Sequence, residues 1–157
     1  MTDPAPVKKT VEVPLSCEEA FTLFTEKMET WWPLSSHGVG TDRGLPPSKG
    51  IRVQAGEGGQ VTEMLGNGDE TPWGTILTWE PGARFRMSWC PGLPEEQTSE
   101  VDVTFTQIGN GCRVDLTHTG FGVYSAPAKA AANYEKGWGM LLGTLYARAA
   151  KALVPAT

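Results

Sequence analysis

The stretch Thr98–His118, "TSEVDVTFTQIGNGCRVDLTH", decides the fold. Val101, Val103 and Phe105 alternate with Asp102, Thr104 and Thr106. Beyond "GNG", Val114, Leu116 and His118 alternate with Arg113, Asp115 and Thr117. A period of two with one apolar side is the pattern of an antiparallel strand buried on one face only. The intervening Gly-Asn-Gly supplies the turn, so the stretch reads as a hairpin. His118 falls on its apolar face, near the strand end.

The same pattern spreads upstream. In "RFRMSW", Arg84–Trp89, residues Phe85, Met87 and Trp89 share one side. Strands are expected at about 50–55, 59–65, 73–80, 84–90, 98–107 and 112–119, separated by "GEGG", "GNGDETP", "EPGA", "CPGLPEEQ" and "GNG". Short separators imply an antiparallel meander. Val7–Val13 makes a first strand, which Pro14 ends. "SCEE" is a capping box, with Ser16 as N-cap and Glu19 three residues on. Phe21, Phe24, Met28 and Trp31, widened by Ala20 and Leu23, predict about fifteen helical residues, stopped near Trp31 or Trp32 by Pro33. Residues 34–49 read as a loop with at most one short helical turn, long enough to act as a lid or portal.

From Ala126 to Leu153 the period returns to 3.6, with Ser125 as cap and Pro155 beyond the end. Tyr134, Trp138, Leu141, Leu145 and Ala149 form the stripe, with Leu142 beside it. Gly137, Gly139 and Gly143 interrupt this helix at about 1 kcal/mol each. Either close approach to the sheet or room for a ligand beside Trp138 should offset that cost. The order predicts an α+β fold in which a curved antiparallel sheet wraps a long C-terminal helix, leaving a natural ligand cavity between them.

With 157 residues, the chain is expected to form a single domain spanning 1–157, with a core from about 7 to 153. The net charge is −5 and Lys and Arg do not cluster, which argues against nucleic acid and against an anionic membrane surface. No apolar run is long enough to span a membrane. "MTDPAPVKKTVEV" lacks an apolar segment of the secretory kind, so a cytoplasmic location is expected. Cys17, Cys90 and Cys112 have no paired spacing and read as free thiols in a reducing compartment. Neither a metal site nor a cofactor is expected. GxSxG, HExxH, P-loop and dinucleotide patterns are all missing, and "GVGTDRG" lacks the strand-to-helix context of a phosphate loop.

Five segments taken in order resemble a known family: "FTEKMETWWPLSSHGVG", "GEGGQVTE", "TPWGTILTWEPGARFRMSW", "TSEVDVTFTQIGNGCRVDLTHTGFG" and "YEKGWGMLLGTL". They are similar to bacterial SRPBCC (START-like) proteins, in the branch related to activators of heat-shock-protein ATPase. The resemblance runs from about Val7 to Ala152 and implies the helix-grip fold with a hydrophobic cavity. It leaves function open, because members of the family bind lipids, hormones or polyketides, act as cyclases or hydrolases, or assist a chaperone.

The candidate residues follow from chemistry. Trp31, Trp32 and His37 match the family's "WWP…H" motif. Trp31, on the helical stripe, belongs in the core, and Trp32 nearer the cavity mouth. His37 is either a rim residue that can donate, accept or titrate, or an ordinary loop residue. Glu63 alternates with Val61 and Leu65. Facing inward, it would need a partner or a proton and would be a candidate acid or base. Facing outward, it would be solvated. His118 is the second catalytic candidate, or a rim histidine bonded to backbone. Trp73, Trp79, Trp89 and Trp138 are either packed core or the aromatic wall of a cavity.

The leading expectation is a site for a small hydrophobic or aromatic ligand. Trp73, Phe85, Met87, Trp89, Val103, Leu116, Tyr134 and Trp138 would line it. Trp32, His37, Glu63 and His118 would guard or orient it. A cyclase- or hydrolase-like enzyme using Glu63 or His118 is the alternative, and catalysis is the lesser expectation. A chaperone-cofactor module is a third reading, with Trp32 in an exposed apolar patch and a chaperone or a second copy as partner.

Overall fold

A computed structural model describes residues 4–34, 36–91 and 98–154. Seven strands form one antiparallel sheet: β1 (Val7–Val13), β2 (Gly50–Val53), β3 (Gln60–Met64), β4 (Glu70–Glu80), β5 (Arg84–Trp89), β6 (Ser99–Ile108) and β7 (Gly111–Thr119). Their order is β1-β7-β6-β5-β4-β3-β2, a meander whose last strand pairs with the first. The hairpin read from Thr98–His118 is present, with Val101 opposite His118, Val103 opposite Leu116 and Phe105 opposite Val114. Gly109 takes the turn at φ +53°.

Register shifts between Val61 and Thr62 and between Ile76 and Thr78 curl the sheet. At the tightest crossing a Cβ on Gly74 would lie 1.8 Å from the Ser88 carbonyl oxygen, so only glycine fits. The sheet's concave face carries the apolar residues expected of it. Phe85, Met87, Val101, Val103 and Val114 are wholly buried.

Helix α1 (Cys17–Phe24) starts on the expected capping box: Ser16 Oγ accepts from the Glu19 amide at 3.1 Å, and the Ser16 amide donates to the Glu19 carboxylate at 3.3 Å. The helix ends seven residues before Trp31, not at it. Thr25 sends both its amide (3.0 Å) and its hydroxyl (2.8 Å) to the Phe21 carbonyl, and the chain continues as a 3-10 turn at Met28–Thr30. This is side-chain competition for a helix carbonyl. Trp31 is nevertheless buried, its indole N–H held by the Leu23 carbonyl at 2.9 Å. In the loop that follows, α2 (Val39–Asp42) is a short helical turn.

The C-terminal helix is α3 (Pro127–Met140), a π turn at Leu141–Tyr146 and α4 (Ala147–Ala152). Its N-cap is Ala126, not Ser125, with Pro127 in the first turn, where its missing N–H costs nothing. The π turn corrects the expected stripe. A turn of i→i+5 bonds holds one extra residue, so Leu141 is buried as expected, but beyond it the fully buried face steps from Leu145 and Ala149, which are partly buried, to Tyr146 and Ala150, in line with Leu142. Tyr146 then donates its hydroxyl to the Ala20 carbonyl at 2.7 Å, tying this helix to α1.

The turn expected at "CPGLPEEQ" from residue 92 to 97, and Pro155 beyond the last helix, fall outside the described residues. Among the described residues no helix is long and apolar enough to cross a membrane.

Candidate functional site

A cavity of about 310 Å³ opens between the curled sheet, α3 and the loop carrying α2. Its walls are four indoles: Trp32 after α1, Trp73 on β4, Trp89 on β5 and Trp138 on α3. Ring centroids lie 4.9 Å apart for Trp32–Trp73, 5.6 Å for Trp73–Trp89, 5.3 Å for Trp89–Trp138 and 5.8 Å for Trp32–Trp138. Tilted and edge-on pairs of this kind stabilise the wall beyond area burial alone.

Every indole N–H in the wall is used inside the protein. Trp32 donates to the His37 carbonyl at 2.6 Å and Trp73 to the Glu63 carboxylate at 3.0 Å. Trp89 donates to the Tyr134 hydroxyl at 3.1 Å, and Trp138 to His118 Nδ1 at 3.0 Å. The four rings therefore present carbon to the cavity. Polar groups gather at its mouth: Ser36, His37, Asp42, Asn133 and Tyr134. His37 is exposed there, its Nδ1 2.8 Å from Ser36 Oγ.

Glu63 faces inward and is fully buried, but it lies behind Trp73 and does not line the cavity. Its carboxylate accepts from four donors: the Val39 amide at 2.8 Å, the Gly40 amide at 3.1 Å, the Ser48 hydroxyl and the Trp73 indole. Burial alone would raise its pKa, and these bonds, Ser48's foremost, hold it below the usual carboxylate range instead. A carboxylate saturated in this way is a clamp, fastening α2 and its loop to β3, and is no free acid or base.

His118 is also fully buried behind the wall. Trp138 can only donate, so His118 Nδ1 accepts and the proton sits on Nε2, 2.7 Å from Ser99 Oγ. Ser99 passes its own hydrogen to the Trp89 carbonyl at 3.2 Å and lies 2.8 Å from the Tyr124 hydroxyl. Burial pushes the His118 pKa down to about 3, so the ring is neutral. Both expected catalytic side chains thus position tryptophans rather than meet a ligand.

Phe85, Met87, Val103 and Leu116, expected as lining, form core beneath the cavity. Among the described residues, no cluster of His, Cys, Asp or Glu could hold a metal ion. The mouth residues Asp42 and Asn133 were not legible as site residues. Asn133 lies one helical turn before Gly137 on a visibly glycine-rich helix, whereas nothing in the loop pattern points to Asp42. Gly137 lines the cavity, and a Cβ on it would meet nothing within 4 Å. Close approach to the sheet therefore does not account for this glycine.

Comparison with known proteins agrees with this architecture. The structure of an anthrahydroquino-γ-pyrone synthase, Txn09, matches at 28% identity over 98% of this chain and 100% of that one, with a TM-score of 0.64. The Aha1 dimer of Colwellia psychrerythraea matches at 14% identity over 91% and 94%, TM-score 0.65. DynU16, from the dynemicin biosynthetic locus, matches at 18% over 92% of this chain and 47% of its own, TM-score 0.63. A search of curated proteins finds no significant match. The family model for activator of Hsp90 ATPase homolog 1-like proteins matches residues 14–150, which take in β2 to β7, the cavity and most of the C-terminal helix, and the chain belongs to that family.

Proposed function

We propose that this protein binds a planar, largely apolar aromatic molecule in the tryptophan-walled cavity. The observation that carries this reading is the satisfied state of all four indole N–H groups. A wall with no spare donors gains most from a ligand that offers carbon and π surface, its polar end left to Asn133, Tyr134, His37 and Asp42 at the mouth. The likeness to a synthase of fused aromatic rings, at 28% identity over nearly the whole chain, points to the same ligand class.

The test is quenching of tryptophan fluorescence by 2-(hydroxymethyl)anthraquinone, for the native protein and for Gly137→Leu. Gly137 lines the cavity and a Cβ there meets nothing within 4 Å, so a larger side chain has open space to occupy. Saturable quenching in the native protein, lost in Gly137→Leu with the Tm not lowered, supports the reading. Absence of saturable binding, or equal binding by both, refutes it.

That same likeness favours a second reading, an enzyme acting on such a ligand. Its acid or base would come from His37, Asp42 or Tyr134 at the mouth, because Glu63 and His118 do not reach the cavity. The chaperone-cofactor reading asked for Trp32 in an exposed patch, but this side chain is buried in the cavity wall.

A further inference from the structure

We propose that the cavity mouth selects its ligand by charge, accepting a neutral or cationic end that donates a hydrogen bond and rejecting a carboxylate. This rests on the aromatic-ligand reading above. Asp42 lines the mouth, and among the described residues its carboxylate has no hydrogen-bond or ion-pair partner. No lysine or arginine is among the described lining residues. The indole faces add negative potential, which favours cations over anions. A ligand hydroxyl or ammonium entering ring-first finds Asp42 ready to accept, whereas a ligand carboxylate finds like charge and no cation.

The experiment compares 2-(hydroxymethyl)anthraquinone with anthraquinone-2-carboxylate, which share one ring body, on the native protein and on Asp42→Asn. Repulsion at the partly exposed mouth should weaken the carboxylate on the order of tenfold against the alcohol. Asp42→Asn should remove most of that difference at unchanged Tm. Equal or tighter binding of the carboxylate by the native protein overturns the inference while leaving the aromatic-ligand reading intact. So does a preference that survives in Asp42→Asn. If neither probe binds, the reading of the cavity fails and this inference with it.

A separate observation carries a second inference. Cys17 opens α1 and Cys112 lies near the start of β7, 95 positions apart in sequence, yet their sulfurs are 2.9 Å apart. That is within one ångström of a disulfide's length of about 2.05 Å. Cys17 is half-buried and so within reach of an oxidant, whereas Cys112 is wholly buried. We infer that the two are an oxidisable pair that staples α1 to the sheet, at the opposite end of β7 from His118. Hydrogen peroxide would convert the Cys17 thiol to a sulfenic acid with release of one water. The Cys112 sulfur would then displace the hydroxyl, its own proton leaving with it as a second water, and the S–S bond would form.

Intact-mass measurement after stoichiometric peroxide should show the loss of two hydrogens, reversed by dithiothreitol, with peptide mapping joining Cys17 to Cys112. Cys90→Ser should keep the bond, and Cys17→Ser and Cys112→Ser should each abolish it. The oxidised protein should melt at a higher temperature than the reduced. A bond through Cys90, or Cys17 driven to sulfinic acid with Cys112 still reduced, overturns the inference.

Discussion

Replacing Glu63 with glutamine tests the clamp beneath the cavity, because the change removes charge and keeps shape. One carboxylate oxygen accepts from Val39 and Trp73, the other from Gly40 and Ser48. With the amide nitrogen on the Gly40 and Ser48 side, the Ser48 hydroxyl can turn to accept from it, and the Gly40 amide is left facing a donor. A bond to a charged acceptor contributes about 1.5–3 kcal/mol and a neutral one about 0.5–1.5, so losing the Gly40 bond and reducing the other three to neutral strength costs about 3–6 kcal/mol. Relief from burying a charge offsets part of this, leaving a net loss of about 2–4 kcal/mol. At this chain length that is a fall in Tm of about 4–16 °C.

The pH dependence has a definite sign. The folded-state pKa lies below the unfolded value, so the clamp's contribution is present above about pH 4 and is lost as pH falls through the lower, folded pKa. In urea titrations from pH 7 to pH 3, the gap between native protein and Glu63→Gln should therefore narrow towards the acid end. A variant within about 0.5 kcal/mol of the native protein at pH 7, or a gap that does not narrow on acidification, would refute the reasoning.

Gly137→Ala should stabilise the protein by about 1 kcal/mol, since the new methyl meets no atom within 4 Å and α3 loses a poor helix former. The same substitution should weaken binding of 2-(hydroxymethyl)anthraquinone in a fluorescence titration, separating stability from function at one position. His118, with its pKa pushed down to about 3, takes up its proton more readily in the unfolded chain. Its contribution to stability therefore falls as pH drops from about 6.5 towards 3, and its ring resonances should not titrate between pH 8 and 5 by NMR. Tyr146→Phe should cost about 1 kcal/mol in urea denaturation by deleting the bond to the Ala20 carbonyl.

The sheet was legible because one-sided burial writes a period of two directly into Phe85, Met87, Trp89 and their neighbours on β6 and β7. The capping box at Ser16 was legible for a similar reason: both partners lie within four residues. What escaped depended on choices between competing backbone bonds. α1 ends where Thr25 leaves helical geometry at φ −93°, ψ −80°, its hydroxyl back-bonded to the Phe21 carbonyl, and helical periodicity of the apolar residues continues across the break to Met28 and Trp31. The π turn shifts the buried face by one residue, and a strict 3.6-residue template therefore selects Leu145 over Tyr146.

The site divides along the same line. Trp32, Trp73, Trp89 and Trp138 announce themselves by residue type. The roles of Glu63 and His118 depend on donors from distant positions, two of them backbone amides of an irregular loop. Buried ionisable residues drew attention as chemistry, and their satisfied hydrogen bonds make them scaffolding. Tyr134 and Trp138 fall on one stripe with Gly137 between them, so the helical side of the cavity was half visible. Asp42, on a four-residue helix inside a loop, left no periodic trace.

The most direct test of the central claim follows the six indole N–H resonances by NMR while 2-(hydroxymethyl)anthraquinone is added. Trp32, Trp73, Trp89 and Trp138 should shift together and saturably, with Trp79, packed on Phe21 away from the cavity, unmoved. Shifts at Trp79 without the wall tryptophans, or no saturable shift at any of the four, would contradict the account.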